Sequence, residues 1–375
     1  MPPHREPRQR GALAPRTAFT LVGAGGSVAV AVAVAVAVVV AVAVAEQLFR
    51  SAAETHPCSA FTRQADFPRP ELHRGRCGRK CGRAIIAPMR FGFLVRHGSP
   101  EAVSLASGFA DMLRARGAEV LFVADYGQGA PSGYPSVPGA DIGARIDVMV
   151  ALGGDGTFLY GAKLVADHDV PLLGLNLGSL GFLTPYTVDE ASAALADAAQ
   201  GRLPVEERMR LLVTLRARDK PDKPAECQSA LNEAVINQRE VARLMDLLVA
   251  TNGDTITTYK ADGLILCSPT GSTAYNLSAG GPILSPDLEA IVLTPICPHT
   301  LSNRPLVVRA DTGVTVTNVS HYLGVVTVDG HWSREMAPGD TVEVRMLERR
   351  LRVFRPGHSF FKILRQKLSW GERKA

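Results

Sequence analysis

At Asp147–Leu152 a strand-like run passes without a break into Gly153-Gly154-Asp155-Gly156-Thr157, and a helical pattern follows over 158–166. A strand, a glycine turn and a helix in that order is the unit from which parallel α/β sheets are built. Neighbouring segments repeat the alternation. Phe91–Val95 and Glu119–Val123 read as buried strands, 103–116 as a helix carrying Ala106, Phe109, Ala110 and Leu113 on one face, and Leu172–Leu175 as a further strand. Residues 127–140 are rich in Gly, Pro and Ser and read as a loop. The spacing predicts an α/β domain over 89–204.

The period changes after about Leu203. Residues 209–215 alternate, with Met209, Leu211, Val213 and Leu215 on one face. Runs rich in β-branched residues recur at 255–259, 264–267, 306–309, 314–319, 325–328 and 341–346, with turn residues between them. This pattern predicts an all-β domain, a sandwich, over 205–358. Over 359–375 helical spacing returns with Phe361, Leu364 and Leu368, as expected of a C-terminal helix that packs back on the first domain.

The net charge of +5 comes from the first 88 residues, which hold 12 Arg and Lys against 5 Asp and Glu and leave 29 basic and 31 acidic residues in the rest. The body is therefore near neutral and carries no basic stripe for a nucleic-acid backbone. With aromatics at 6%, a base-stacking surface is excluded as well. Cys227, Cys267 and Cys297 sit in apolar or turn contexts and read as buried thiols of a reducing compartment. Cys77 and Cys81 have no second pair at metal-ligand spacing, so no zinc site is expected. Residues 28–45 form an unbroken Val/Ala run of 18 preceded by Arg5, Arg8, Arg10 and Arg16. Read literally, that is a signal peptide or a membrane span. Its two-letter alternation instead marks low complexity. Residues 1–88 read as a low-complexity or disordered extension or a mis-assigned start, with membrane contact only if 28–45 is a genuine anchor.

Two segments carry most of the chemistry. In Gly153-Gly154-Asp155-Gly156-Thr157 the glycines let backbone N–H groups approach phosphate oxygens, at the carboxyl end of a parallel strand where α/β folds bind ligands. An aspartate fixed there can take a proton or orient a metal–phosphate complex; a plain Asp-Gly turn is the alternative. The second segment runs from Asp262-Gly263 through Ser268 to Gly281 and is dense in hydroxyls and glycines around Tyr275. Such a loop offers many donors and acceptors to a polar ligand. Asn232-Glu233 could hold a ribose or an adenine edge, or be a solvated turn. The sequence lacks a G-x-G-x-x-G after a strand, a G-x-x-x-x-G-K-[ST] loop, an H-E-x-x-H pair and a G-x-S-x-G elbow.

Together these pieces resemble the NAD kinase family: GGDGT (153–157), NLGSLGFLT (176–184), NEAVI (232–236), DGLILCSPTGSTAYNLSAGGPI (262–283), PICPHTLSNRPLVV (295–308) and VDGH (328–331). The resemblance spans roughly 89–370, and its 262–308 stretch is the specific part. It implies a Rossmann-like α/β domain, a C-terminal β-sandwich that binds NAD, and a cytoplasmic homo-oligomer, a dimer or tetramer. It implies that Asp155 activates the 2′-hydroxyl of the adenosine ribose of NAD, with Gly153, Gly154, Gly156 and Thr157 as the phosphate loop. It also implies dinucleotide contacts from Asn232, Glu233, Arg243, Lys260, Asp262, Thr273, Ala274, Tyr275, Asn276, Leu277, Ser278 and His331. ATP, another triphosphate or polyphosphate would be the donor. A divalent ion, Mg²⁺, would ride on the nucleotide, with no metal ligands of the protein's own. Nucleic acid is not expected as a partner. A diacylglycerol- or sphingosine-type lipid kinase shares the GGDGT logic, and a non-catalytic dinucleotide sensor would share the binding residues.

Overall fold

The computed structural model describes residues 88–126, 130–178, 180–219, 224–239, 243–300 and 302–369. The expectations for the N-terminal extension, its apolar run and its cysteine pair fall outside them. The first half runs β1 (Arg90–Val95), α1 (Pro100–Arg114), β2 (Glu119–Val123), β3 (Ser136–Val137), α2 (Gly139–Ile142), β4 (Val148–Gly153), α3 (Asp155–Leu164), β5 (Leu172–Asn176) and α4 (Val188–Ala199). Strands β1 to β5 are mutually parallel. Successive residues of a strand point to opposite faces, so a strand covered on both sides is apolar throughout. Every residue of β4 is accordingly buried. Val148, Val150 and Leu152 pack with Phe109 and Leu113 of α1 and Leu195 of α4. Met149 and Ala151 pack on the other face with Phe158 and Ala162 of α3. Helix α1 starts three residues before the expected position. Ser99 Oγ accepts the Ala102 N–H at 3.3 Å, and Pro100 occupies the first turn, where its missing donor is harmless.

The remainder runs β6 (Val205–Arg208), β7 (Leu211–Arg216), β8 (Glu226–Ala230), β9 (Glu233–Gln238), β10 (Met245–Thr251), β11 (Asp254–Ala261) and β12 (Gly263–Cys267). A 3₁₀ turn (Thr270–Thr273) and α5 (Tyr275–Ser278) follow, then β13 (Ala290–Ile296), β14 (Leu306–Arg309), β15 (Val314–Asn318), β16 (Gly324–Val328), β17 (Trp332–Met336), β18 (Thr341–Met346), β19 (Leu351–Phe354) and α6 (Phe360–Leu368). Two six-stranded sheets form, ordered β11-β10-β15-β18-β7-β8 and β14-β13-β12-β9-β16-β17. Their pairings are antiparallel, and one core joins Leu211, Val213, Leu247 and Val316 of the first to Ile236, Leu264, Leu293 and Val326 of the second. The expected inward face of 209–215 is present: Met209, Leu211, Val213 and Leu215 all belong to this core.

Three expectations need correction. Strands β6 and β19 join the α/β sheet instead of the sandwich, in the order β3-β2-β1-β4-β5-β19-β6. Helix α6 buries Ile363 and Leu364, while Phe361 is 59% and Leu368 39% exposed. Its approach to the α/β half is fixed by polar contacts: His358 Nε2 lies 3.0 Å from Glu190 Oε1, and Lys367 lies over the Phe182 ring. Among the cysteines, Cys267 is the buried thiol expected, Cys297 is free but exposed, and Cys227 is disulfide-bonded.

Candidate functional site

Asp155 is the first residue of α3, separated from the end of β4 by Gly154 alone. Its carboxylate does not cap its own helix. Instead Oδ1 accepts the N–H groups of Leu183 (3.0 Å) and Thr184 (3.1 Å) and the Thr184 hydroxyl (3.1 Å), and Oδ2 accepts the Phe182 N–H (3.1 Å). Buried Asn176 supports this arrangement through an Nδ2 bond to Thr184 Oγ1 at 3.0 Å. Close approach of the loop depends on Gly181, where a Cβ would lie 2.1 Å from Asp155 Oδ1. A carboxylate oxygen has about two acceptor sites, so Oδ1 is filled while Oδ2 keeps room for one donor. The glycines of the turn divide into two kinds. A Cβ on Gly154 or Gly156 would meet nothing within 4 Å, whereas one on Gly153 would strike Thr157 Oγ1 at 2.4 Å. Gly154 and Gly156 therefore border open space, as a phosphate cradle needs. Gly153 and Thr157, expected in that cradle, are buried against each other.

The second cluster forms where β8 turns into β9. Asp329, in the turn between β16 and β17, accepts the N–H groups of Leu231 (2.6 Å), Asn232 (2.9 Å) and Glu233 (3.0 Å). From the opposite side Ser268 N–H donates to Asn232 O at 2.8 Å, and Ser268 Oγ donates to Leu231 O at 2.5 Å. Gly271 fits against this turn only without a side chain, because its Cβ would lie 2.3 Å from Asn232 O. Three buried side-chain atoms here have no hydrogen-bond partner: Asn232 Oδ1, Glu233 Oε2 and Thr270 Oγ1. Each such atom costs roughly 1–3 kcal/mol unless a ligand or water completes it. Burial, aided by the charge of Asp329, pushes Glu233 well above the ordinary carboxylate range. Burial also raises Asp329, to about 6, against the pull of its three N–H donors. The cluster meets the α/β half at Leu231, which shares a core with Phe158 and Leu183.

The other expected residues fall into three settings. Tyr275 lies near Cys297, Asp262 and Glu233, all of which push its phenol up after burial has done so. Thr273, Ala274 and Leu277 are partly exposed and Ser278 is exposed. Asn276 is an exception among the expected contacts. It is fully buried, its Nδ2 donates to Ser272 O and Pro282 O, and its Oδ1 accepts from Thr294, so its side chain holds the loop together. His331 faces α3, with its ring centroid 5.6 Å from that of Tyr160. Burial and the nearby Lys163 lower its pKa to about 4, so it is uncharged at neutral pH. Arg243 and Lys260 are exposed and locally paired: Arg243 Nη1 donates to Tyr322 Oη at 3.2 Å, and Lys260 Nζ lies 3.9 Å from Asp246. No contact among the described residues brings these two to Asp155. Sequence reasoning missed Asp329 and the 182–184 amides. The Asp-Gly pair in VDGH was visible, but only the turn's pairing reveals its acceptor role.

A cavity of about 340 Å³ lies against the Asp155 loop, walled in part by Phe158, Phe182, Leu183, Leu231 and Arg355, yet none of the expected dinucleotide contacts lines it. The unpartnered polar atoms are the better guide to a polar ligand, because they are buried donors and acceptors that nothing in the fold completes. Among the described residues no group of three His, Cys, Asp or Glu could hold a metal ion. Nor is any helix among them long and apolar enough to cross a membrane.

Residues 91–203 match the ATP-NAD kinase N-terminal domain and 231–355 the ATP-NAD kinase C-terminal domain. The NAD kinase of Geobacter metallireducens is 46% identical over 243 residues, covering 64% of this chain and 85% of that one. That of Geotalea daltonii is 42% identical over 276 residues, covering 73% and 96%. Among solved structures, yeast NADH kinase complexed with NADH aligns with a TM-score of 0.70 at 26% identity, covering 77% of this chain and 90% of that one. An Archaeoglobus fulgidus NAD kinase in complex with ATP shares the fold, with a TM-score of 0.61 at 24% identity over 76% of this chain and 100% of that one. The chain belongs to the ATP-NAD kinase family.

Proposed function

We infer that the chain transfers the γ-phosphoryl group of ATP to the 2′-hydroxyl of the adenosine ribose of NAD, making NADP. The observation that carries the residue assignment is Asp155: one carboxylate oxygen is fixed by three donors and the other keeps acceptor capacity beside open glycines. A ribose hydroxyl is a poor nucleophile until its proton is accepted. Asp155 Oδ2 takes that proton as the ribose oxygen bonds to the γ-phosphorus, and the bond from that phosphorus to the ADP oxygen breaks. The N–H groups that hold Oδ1 keep the base oriented throughout. Asn232, Glu233 and Thr270, whose unpartnered atoms suit hydroxyl and amide partners, are the groups we assign to the dinucleotide, together with the neighbouring Tyr275 loop.

Asp155 is the carboxylate we assign to face an ion that would arrive on the triphosphate. Mg²⁺ so bound neutralises phosphate charge. We place the reaction in the cytoplasm, where both nucleotides are available, and in a homo-oligomer. The open edge strand β14, with Val307 45% exposed, supports a contact between copies. A lipid kinase is disfavoured by the domain match over 231–355. The test is incubation with NAD and Mg-ATP. NADP is expected, and its absence with an intact protein would reject the reading in favour of a sensor. Polyphosphate in place of ATP tests the donor.

A further inference from the structure

We propose that Asp329 is a positioning residue for the dinucleotide: its carboxylate gathers the backbone of residues 231–233 and thereby sets the direction in which Asn232 and Glu233 meet the ligand. Asp329 is not on the strand it organises. It sits in the turn after β16, with φ of 45°, a left-handed backbone that Asp tolerates better than most residues. Its own N–H donates to Glu233 O at 3.1 Å, so main chain and side chain grip the same segment. Oδ2 accepts from Leu231 and Oδ1 from both Asn232 and Glu233, at 2.6, 2.9 and 3.0 Å. Bonds to an ionised acceptor are roughly twice as strong as neutral ones, and three successive N–H groups on one carboxylate leave the turn little freedom.

The opposite side of the turn is equally fixed. Ser268 bonds Asn232 O and Leu231 O, and Gly271 stands where any side chain would collide. Between these two grips the Asn232 and Glu233 side chains carry the buried, unpartnered Oδ1 and Oε2. Glu233 also faces the Cys267 thiol and the Tyr275 ring, and neither is a cation that would ionise it. Burial and Asp329 both favour its protonated form. Glu233 thus offers a hydroxyl donor and a carbonyl acceptor, a pair suited to a ribose diol or a carboxamide. Asp329 acts through this pair and touches no reacting atom.

The role rests on the proposed dinucleotide function, and two measurements keep the two separable. In Asp329→Asn the side-chain oxygen can keep some of the N–H bonds, but the charge and one acceptor are lost. The KM for NAD is expected to rise about ten- to a hundredfold, the size of losing hydrogen bonds to a charged acceptor, while the KM for ATP and kcat stay within about threefold. A residue that only stabilised the fold would lower melting temperature and active fraction and leave the KM for NAD alone, and that outcome overturns the proposal. The second measurement uses the wild-type protein and needs no activity. Amide exchange at Leu231, Asn232 and Glu233 should be protected to the level of the adjoining β9 strand, and exchange at loop rates overturns the proposal even if Asp329→Asn fails to fold. A wild-type protein that makes no NADP but protects these amides would instead sink the functional reading.

Discussion

At Asp155 the proposed chemistry and the architecture meet in a single carboxylate. Asp155→Asn keeps Oδ1 for Leu183 and Thr184 and turns an amide nitrogen toward the Phe182 N–H, so one hydrogen bond is lost. The variant should fold with a small loss of stability, roughly 0.5–1.5 kcal/mol. Its kcat at saturating NAD and Mg-ATP should fall by about 10²–10⁴, the contribution of a general base. If kcat stays within about threefold of wild type, Asp155 only shapes the turn, a role asparagine also fills. Gly181 gives an independent handle on the same oxygen. A Cβ there would sit 2.1 Å from Asp155 Oδ1 and 2.2 Å from Thr184 Oγ1. Gly181→Ala must therefore push the carboxylate off its donors, costing about 1–3 kcal/mol as overpacking does. Its kcat should fall without any change in the base itself. Steady-state rates and a thermal melt of the alanine variant check both parts, and a variant with normal kcat would show that the carboxylate tolerates displacement.

Elements differ in how plainly the sequence announces them. Strands buried on both faces, such as β1, β4 and β7, were legible because burial alone writes their apolar pattern. Strands β8 (ECQSA) and β17 (WSREM) were not, since polar residues interrupt the period. The start of α3 was hidden by glycines, which disfavour helix, yet the helix begins at Asp155 because the acidic residue suits its N-terminus. No local signal could place β19 between β5 and β6, as Val353 pairs with Leu172 across most of the domain. At the site the motif residues were legible by type but not by direction, so Asn276 was expected at the ligand and turns inward. The turn after β16 gives a prediction at this scale, because His331 packs it against α3. Burial and Lys163 hold His331 at about 4, below the ordinary value of about 6.5. The folded state prefers the neutral ring, so its contribution is full above about 6.5 and is lost as pH falls toward about 4. Lowering pH from about 7 to about 4.5 should destabilise the wild type more than His331→Gln, as measured by melting temperature. Equal shifts in the two proteins would mean that the ring charges freely in place.

Across the whole molecule the chain passes from the α/β sheet into the sandwich and returns to finish the sheet it left. Strand β6 leaves beside β19, and β19 comes back after the entire sandwich has formed, pairing parallel with β5 and antiparallel with β6. The two halves cannot be separated by a single cut without breaking a sheet. The returning chain also buttresses the 182–184 loop that holds Asp155. Tyr186 Oη donates to Arg355 O at 2.7 Å, His358 holds Glu190, and Lys367 lies over the ring of Phe182, whose N–H holds Asp155 Oδ2. A chain ended after Arg355 keeps β19 and the Tyr186 bond but loses α6. It should still fold, because every strand is present. The loss of buried Ile363 and Leu364 should remove at most roughly 3–6 kcal/mol, at about 1.5–3 for each fully buried side chain. With the Lys367 and His358 contacts gone, the 182–184 loop is held less firmly, and kcat should fall several-fold while the KM for NAD changes less. A chain ended before Leu351 loses the strand between β5 and β6 and should not form a stable α/β half. Circular dichroism melts and rates on the two truncations decide the matter. If the shorter protein matches the longer one, β19 is dispensable and the sheet closes without it; if the longer one matches wild type in both kcat and melting temperature, α6 does not support the loop that carries Asp155.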